Sequence, residues 1–241
     1  MIKKIKNILP NFFTFLNVAS GFIAIILAFS ALSIQHTYFF NYAFYAIVLC
    51  IVFDIADGFF SRKFNVLSEI GAKLDSKSDA VSFGVAPACL LAFIGVAQLH
   101  GIWFLCSVII ALIYLCSALY RLAQFDLKKV DEDKRGHLYF SGFPSPAAAL
   151  LCAASSLALI TMDTSVVLVL FIYGVAAYLM NSNFKYADLP KHYLYRIRNP
   201  LELIAVILFF LFMPLAHAVM LLISIYAIIP VLQKNFNFPK K

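Results

Sequence analysis

Residues 54–79 read DIADGFFSRKFNVLSEIGAKLDSKSD, and this stretch decides the fold because it joins two apolar runs through two pairs of carboxylates. Asp54 and Asp57 close the first run at a spacing of three, whereas Asp75 and Asp79 open the next run at a spacing of four. Side chains three or four residues apart lie on one face of a helix. Each helix end therefore presents two carboxylates at the same edge, and the short connection lets the two pairs face one another.

The four carboxylates predict a site for divalent cations. One charged side chain inside a bilayer costs about 2.5–3.5 kcal/mol on insertion scales, and four like charges add mutual repulsion. Divalent cations relieve both costs, and an all-carboxylate set of oxygens favours Mg²⁺, Mn²⁺ or Ca²⁺ over zinc. Four carboxylates suffice to bridge two ions about 3.5–4 Å apart, the arrangement that stabilises in-line phosphoryl displacement. The competing interpretation is a set of interfacial aspartates paired with neighbouring Lys and Arg.

Glycine and arginine residues in the same stretch fit a phosphate ligand. Gly58 follows Asp57 directly and lets a ligand approach the backbone. Gly71 lies one helical step of four before Asp75 and permits two helices to pack closely. Arg62, one turn beyond Gly58, is placed to bind a phosphate.

The composition places the apolar runs in a membrane. The chain of 241 residues is 63% hydrophobic and 13% charged, whereas soluble domains are about 45–50% apolar and about 25% charged. A hydrocarbon core about 30 Å thick needs about 20 apolar residues as a helix. We therefore predict one membrane-embedded domain over residues 1–241, an all-α bundle that begins with a basic interfacial segment. The predicted spans, eight in number, are 11–33, 38–60, 80–99, 102–124, 144–162, 164–181, 200–213 and 215–232. The last two are short, and a re-entrant hairpin is the alternative there.

The distribution of basic residues sets the orientation. With the N-terminus inside, all 19 Lys and Arg lie in inside segments, and the outer loops near His36, His100, Asp163 and Pro214 hold none. By the positive-inside rule this pattern predicts a multi-pass protein of the cell membrane, with both termini and the carboxylates at the cytoplasmic face. The net charge of +7 then faces anionic lipid head groups, and not nucleic acid. The five cysteines lie in apolar runs without a CxxC pair, so they predict neither a disulfide nor a zinc site.

The stretch resembles the signature of the CDP-alcohol phosphotransferase family. The shared pattern is Asp54-x2-Asp57-Gly58-x2-Ser61-Arg62-x8-Gly71-x3-Asp75-x3-Asp79. Ser61 departs from the alanine that is common at that position, which leaves the shape of the nucleotide pocket open. Within the family the chain is similar to the bacterial membrane-embedded phosphatidylserine synthases. The stretches that carry this similarity are LPNFFTFLNVASGF at 9–22, SFGVAPA at 82–88, YRLAQFD at 120–126 and FSGFPSPAAA at 140–149.

The resemblance implies that the chain transfers a phosphatidyl group from CDP-diacylglycerol to L-serine, giving phosphatidylserine and CMP. It implies two divalent metal ions, Mg²⁺ or Mn²⁺ with Ca²⁺ as a third option, and a homodimer among membrane lipids. It assigns the metals to Asp54, Asp57, Asp75 and Asp79. It also makes Asp79 the general base that accepts the proton of the serine hydroxyl.

Contacts with CDP-diacylglycerol are expected from two parts of the chain. The resemblance carries this role to Gly58, Arg62 and Ser68, although Ser68 also suits a loop or a helix cap. Thr14 and Asn17 are polar residues near the cytoplasmic end of the first span. They are predicted either to face the nucleotide or to make hydrogen bonds between helices.

The carboxylate of serine requires a cation, and Arg121 at the end of the fourth span is the predicted partner. Its alternative is to reach the lipid phosphates. Arg135 and the backbone of Ser141–Gly142 are further candidates, whereas His137 and His192 are not expected to act in catalysis.

Other functions compete with serine transfer. Glycerol 3-phosphate, inositol phosphate or choline can replace serine as the acceptor, although a phosphorylated acceptor calls for a denser cluster of Arg and Lys. A metal-ion or proton-coupled transporter is the alternative from another class. A transporter predicts acids near the midplane of the bilayer, whereas these aspartates cluster at one face.

Overall fold

A computed structural model describes residues 2–64, 69–131, 139–161, 164–187, 223–224 and 226–228. The regular structure of this part of the chain is helical apart from one short two-stranded sheet. Its elements are α1 (Ile2–Ile34), α2 (Tyr38–Phe64), α3 (Glu69–Asp79), a π-helical segment (Ala80–Val85), α4 (Ala86–Gln98), α5 (Ile102–Asp131), β1 (Tyr139–Ser141), α6 (Ser145–Thr161), α7 (Val166–Met180) and β2 (Lys185–Ala187). We call residues 80–85 the π segment.

Four helical stretches of the described chain are long and apolar enough to cross a membrane. They are Asn11–Ile34, Tyr38–Ser61, Lys73–Gln98 and Ile102–Phe125. The helices α6 and α7 are apolar but shorter, with 17 and 15 residues. The predicted spans at 200–213 and 215–232 lie outside the described residues, except for 223–224 and 226–228. The total of eight spans and the inside position of both termini therefore stay predictions.

The packing of α1 has the pattern of a membrane helix. Ala24, Ala28 and Ala31 are buried, whereas Phe22 and Phe29 are 60% and 55% exposed. A water-soluble helix would place the large apolar side chains inside. In lipid, small residues let helix backbones approach and large ones face the acyl chains. The exposed apolar surface of α1 therefore suits contact with lipid.

The third membrane helix begins earlier than predicted. The sequence predicts a span at 80–99, but the helical stretch runs without a break from α3 through the π segment into α4. Residues 69–79, EIGAKLDSKSD, are more polar than the run that follows them, yet Glu, Ala, Lys and Leu favour helix. Asp75 and Asp79 consequently lie within a continuous helix and not at its first turn. The helix α1 likewise begins at Ile2, so the predicted interfacial segment continues into the first span as one helix.

The helix α6 lies at the centre of the bundle. Residues 151–159 are buried without interruption, and α2, α4 and α7 all contact this helix. Its sequence LCAASSLAL is rich in small residues, which allow close approach on every side. The hydroxyl groups of Ser156 and of Tyr173 on α7 are hydrogen-bonded at 2.8 Å.

A short antiparallel sheet joins the chain before α6 to the chain after α7. The strands β1 and β2 pair from Tyr139 opposite Ala187 to Ser141 opposite Lys185. Gly142 follows β1 with a φ of +83°, and a Cβ atom there would lie 2.3 Å from the carbonyl oxygen of Met180. Only glycine fits this turn, because both its φ and its space exclude a side chain.

Serine hydroxyls fasten α1 to the third membrane helix. Ser78 donates to the carbonyl of Thr14 at 3.1 Å, and Ser82 in the π segment donates to the carbonyl of Asn17 at 3.1 Å. A Cβ atom at Gly21 would lie 2.6 Å from the Ser82 hydroxyl oxygen and 3.0 Å from its Cα. Gly21 therefore sets how closely α1 approaches the π segment.

We expect Gly21→Ala to lower the free energy of unfolding by about 1–3 kcal/mol, the usual cost of overpacking. Thermal unfolding in detergent measures this change. Gly174→Ala is the matched control, because Gly174 is also helical and a Cβ atom there meets nothing within 4 Å. The control should be neutral or more stable, since alanine favours helix over glycine. Equal melting temperatures for the two variants would contradict the close contact at Gly21.

Candidate active site

Three carboxylates from α2 and α3 lie close together. Asp54 on α2 and Asp75 and Asp79 on α3 each place one oxygen within 4.8 Å of the other two. Asp75 and Asp79 share a face of α3 because they are four residues apart. All three side chains are partly buried. We call these residues the carboxylate group.

The donor atoms of the carboxylate group suit a hard divalent cation. Mg²⁺, Mn²⁺ and Ca²⁺ bind through oxygen, and carboxylates are their usual protein ligands. Three negative charges at this distance repel one another, and a bound cation removes that repulsion. The group can therefore hold a metal ion.

Asp57 stands apart from the carboxylate group and faces α1. It is only 7% exposed, and the hydroxyl of Thr14 donates a hydrogen bond to its Oδ2. Three residues along an α-helix leave an angular offset of about 60°, and α1 packs along α2 on that side. The structure thus brings together three of the four predicted ligands, and a metal role for Asp57 stays a prediction.

Asn17 reaches from α1 to the carboxylate group. Its side chain is fully buried, and its Nδ2 donates to Oδ1 of Asp79 at 3.3 Å. Together with the bond from Thr14 to Asp57, this confirms hydrogen bonds between helices as one role of the two residues. The Oδ1 atom of Asn17 is buried and accepts no hydrogen bond from the described residues. Buried acceptors are normally satisfied, so this atom stands out as a position for a further hydrogen bond, and contact with the nucleotide stays a prediction.

Arg121 lies in the bundle beside the start of α6. Its Nη1 donates to the hydroxyl of Ser145 at 2.7 Å, and its charge interacts with that of Asp79. Its Nε is buried and has no hydrogen-bond partner among the described residues. The guanidinium group therefore points inward and not to lipid phosphates. Sequence reasoning missed Ser145, and its place directly before the apolar run of α6 was the available signal.

Some of the remaining predicted residues lie in the described part of the chain, and the others lie outside it. Gly58 and Arg62 lie in the last two turns of α2, and the carbonyl of Gly58 accepts a hydrogen bond from Ser61 at 3.3 Å. The N–H of Gly142 already donates to the carbonyl of Phe184 at 2.8 Å, so it is not available to an acceptor substrate. The predicted residues outside the described chain are Ser68, Arg135, His137 and His192.

Comparison with known proteins yields one family. The family model described as CDP-alcohol phosphatidyltransferase matches residues 7–162, which include the carboxylate group and Arg121. The CDP-diacylglycerol–serine O-phosphatidyltransferase of Methanocaldococcus jannaschii is 35% identical over 229 residues, which cover 94% of each chain.

Two further relatives match shorter parts of the chain. The CDP-diacylglycerol–serine O-phosphatidyltransferase of Bacillus subtilis is 31% identical over 139 residues, 58% of this chain and 71% of that protein. The archaetidylserine synthase of Methanothermobacter thermautotrophicus is 34% identical over 152 residues, 61% of this chain and 58% of that protein.

Proposed function

This chain belongs to the CDP-alcohol phosphatidyltransferase family, and we propose that it transfers the phosphatidyl group of CDP-diacylglycerol to L-serine. The observation that carries the proposal is the carboxylate group of Asp54, Asp75 and Asp79, in a chain whose relative of equal length is named for serine transfer. Family membership also supports an enzyme rather than the ion-coupled transporter. The products are phosphatidylserine and CMP.

Divalent metal ions complete the proposed site. Asp54, Asp75 and Asp79 supply oxygen ligands for the ions, with Asp57 as a further ligand from the same turn of α2. When bound, Mg²⁺ or Mn²⁺ neutralises charge on the diphosphate and on the departing CMP. Two ions are proposed, because four carboxylates provide enough oxygens for both.

Asp79 is proposed as the general base. The hydroxyl oxygen of serine attacks the phosphorus next to the lipid, the bond from that phosphorus to the CMP oxygen breaks, and Asp79 accepts the hydroxyl proton. A hydroxyl is a poor nucleophile until a nearby carboxylate takes its proton. The hydrogen bond from Asn17 to Oδ1 supports this role, because it fixes the orientation of the Asp79 carboxylate.

The CDP group is proposed to lie between α1 and the end of α2. Gly58 leaves room beside the backbone, and Arg62 one turn later supplies a positive charge for a phosphate. Thr14 and Asn17 face the same region from α1, and the open acceptor of Asn17 supports a contact with a ligand donor. Ser68 completes the proposed set.

Arg121 is proposed to bind the carboxylate of serine. A guanidinium group forms two parallel hydrogen bonds with a carboxylate, and Ser145 holds this one inside the bundle. The electrostatic effect of Asp79 on Arg121 supports an acceptor site on the same side of the bundle as the base. Arg135 is retained as a second candidate for the acceptor.

The proposed enzyme is a single domain that works at the cytoplasmic face of the cell membrane. The distribution of Lys and Arg supports this orientation, and the exposed apolar surface of α1 supports contact with lipid. We also propose that the chain forms a homodimer, as the family resemblance implies.

The central test is an assay of the purified protein with CDP-diacylglycerol and Mn²⁺ or Mg²⁺, with CMP release as the readout. We expect CMP release with serine and none above background with glycerol 3-phosphate or inositol phosphate. Chelation of the metal should abolish release, and added Mn²⁺ should restore it. Release with a phosphorylated acceptor and not with serine would replace the proposed acceptor while keeping the family reaction.

We expect Asp79→Asn to lower kcat by about 10²–10⁴-fold, the usual contribution of a general base. Binding of CDP-diacylglycerol should largely persist, since Asp54 and Asp75 remain as ligands and the amide keeps the shape of the side chain. Asp54→Asn serves as the comparison, because Asp54 is proposed as a metal ligand only, so the activity lost with it should be restored in part by a higher Mn²⁺ concentration, whereas the activity lost with the base should not. Full turnover by Asp79→Asn would exclude it as the base.

We expect Arg121→Lys to raise the KM for serine by about tenfold, because lysine keeps the charge but loses the planar pair of donors. The KM for CDP-diacylglycerol should not change. Lys73→Arg, the reverse exchange at an exposed cation on α3, is the control and should leave both KM values unchanged. An unchanged KM for serine in Arg121→Lys would remove Arg121 from the acceptor site.

A further inference from the structure

The helix that carries Asp75 and Asp79 changes from α to π geometry directly after Asp79. The N–H of Ala86 bonds to the carbonyl of Val81, five residues earlier and not four. One extra residue in a turn shifts the side chains on one side of the π segment by about 100° around the helix axis, relative to those on the other side. The direction in which α3 presents its aspartates therefore depends on the π segment.

Pro87 explains why the α pattern breaks at this point. In an uninterrupted α-helix the N–H of residue 87 would bond to the carbonyl of Phe83. Proline has no N–H, and its ring clashes with the carbonyl four residues earlier. The Phe83 carbonyl therefore loses its α-helical donor, and a donor from another helix stabilises it, because an unsatisfied carbonyl in a membrane interior is costly.

Tyr114 on α5 supplies that donor. Its hydroxyl donates to the carbonyl of Phe83 at 2.8 Å, and its side chain is fully buried. Tyr173 on α7 similarly donates to the carbonyl of Pro87 at 3.0 Å, and the two tyrosine rings pack edge to face with centroids 5.3 Å apart. Two hydroxyls from two other helices thus bind one carbonyl inside the π segment and one just after it.

We propose that Tyr114 is a positioning residue for the carboxylate group. Its hydroxyl stabilises the π segment, and the π segment sets the rotation at which Asp75 and Asp79 face Asp54. The sequence alone gives Tyr114 no special role, since it lies in the middle of an apolar run. The inference rests on the phosphatidyl transfer proposed for this site.

The test begins with Tyr114→Phe, which keeps the buried ring and removes only the hydroxyl. We expect kcat to fall by about tenfold to a hundredfold, as for a misplaced catalytic group. Binding of Mn²⁺, followed by electron paramagnetic resonance without substrate, should weaken in parallel. Tyr178→Phe is the matched control, because Tyr178 lies on the surface of the helix bundle and is 70% exposed. A Tyr114→Phe variant with the kcat and the Mn²⁺ affinity of the unmodified protein overturns the proposal.

A second variant separates positioning from stability. In Tyr114→Phe combined with Pro87→Ala, the alanine at position 87 offers an N–H to the Phe83 carbonyl, so an α-helix can form without the tyrosine. We expect the melting temperature to recover while kcat and Mn²⁺ affinity stay low, because the aspartates are then rotated away from Asp54. Recovery of activity together with stability would reduce Tyr114 to a purely structural residue. Failure of the unmodified protein to release CMP would instead refute the proposed function, and the Mn²⁺ comparison would still decide the role of Tyr114.

Discussion

The mutual repulsion of three partly buried carboxylates is the constraint on which the rest of the site depends. Charges this close repel more strongly in a low dielectric than in water, so the helices that carry them need other contacts to stay together. The hydroxyls of Ser78 and Ser82 attach the third membrane helix to α1, and the amide of Asn17 donates to Asp79. Arg121 adds a buried positive charge that acts on Asp79. The amide of Asn17 and the charge of Arg121 thus offset part of the negative charge at Asp79.

Helical periodicity was enough to predict much of this arrangement. The spacing of four between Asp75 and Asp79 places them on one face of α3, and the end of the apolar run places Asp54 beside them. The apolar runs also predicted six helices whose positions agree with the structure, apart from the early starts of the first and third and the later ends of the second and fourth. Hydropathy did not predict those two starts, because it detects only the apolar part of a helix. A helix can extend beyond that part into polar residues.

The rest of the site depends on packing between helices, which one sequence does not reveal. Asp54 and Asp57 were expected to act as a pair, yet the offset between them turns Asp57 toward Thr14 on α1. The partner of Arg121 is Ser145, 24 residues away along the chain and at the start of another helix. Pro87 is plain in the sequence, but the sequence does not show which group bonds to the Phe83 carbonyl that loses its helical donor. That group is the hydroxyl of Tyr114 on another helix. The reaction class was predicted from the order of acids, glycines and arginine in residues 54–79, and membership of the family supports this prediction.

Metal binding by the carboxylate group is the central claim, and a titration of the purified protein with Mn²⁺ tests it most directly. Electron paramagnetic resonance distinguishes free from bound Mn²⁺ without any substrate. The account predicts saturable binding that is lost or strongly weakened in Asp75→Asn, whose amide keeps the size of the side chain and removes its charge. Absence of binding, or equal affinity in the two proteins, would contradict the claim that these three acids hold the catalytic ion.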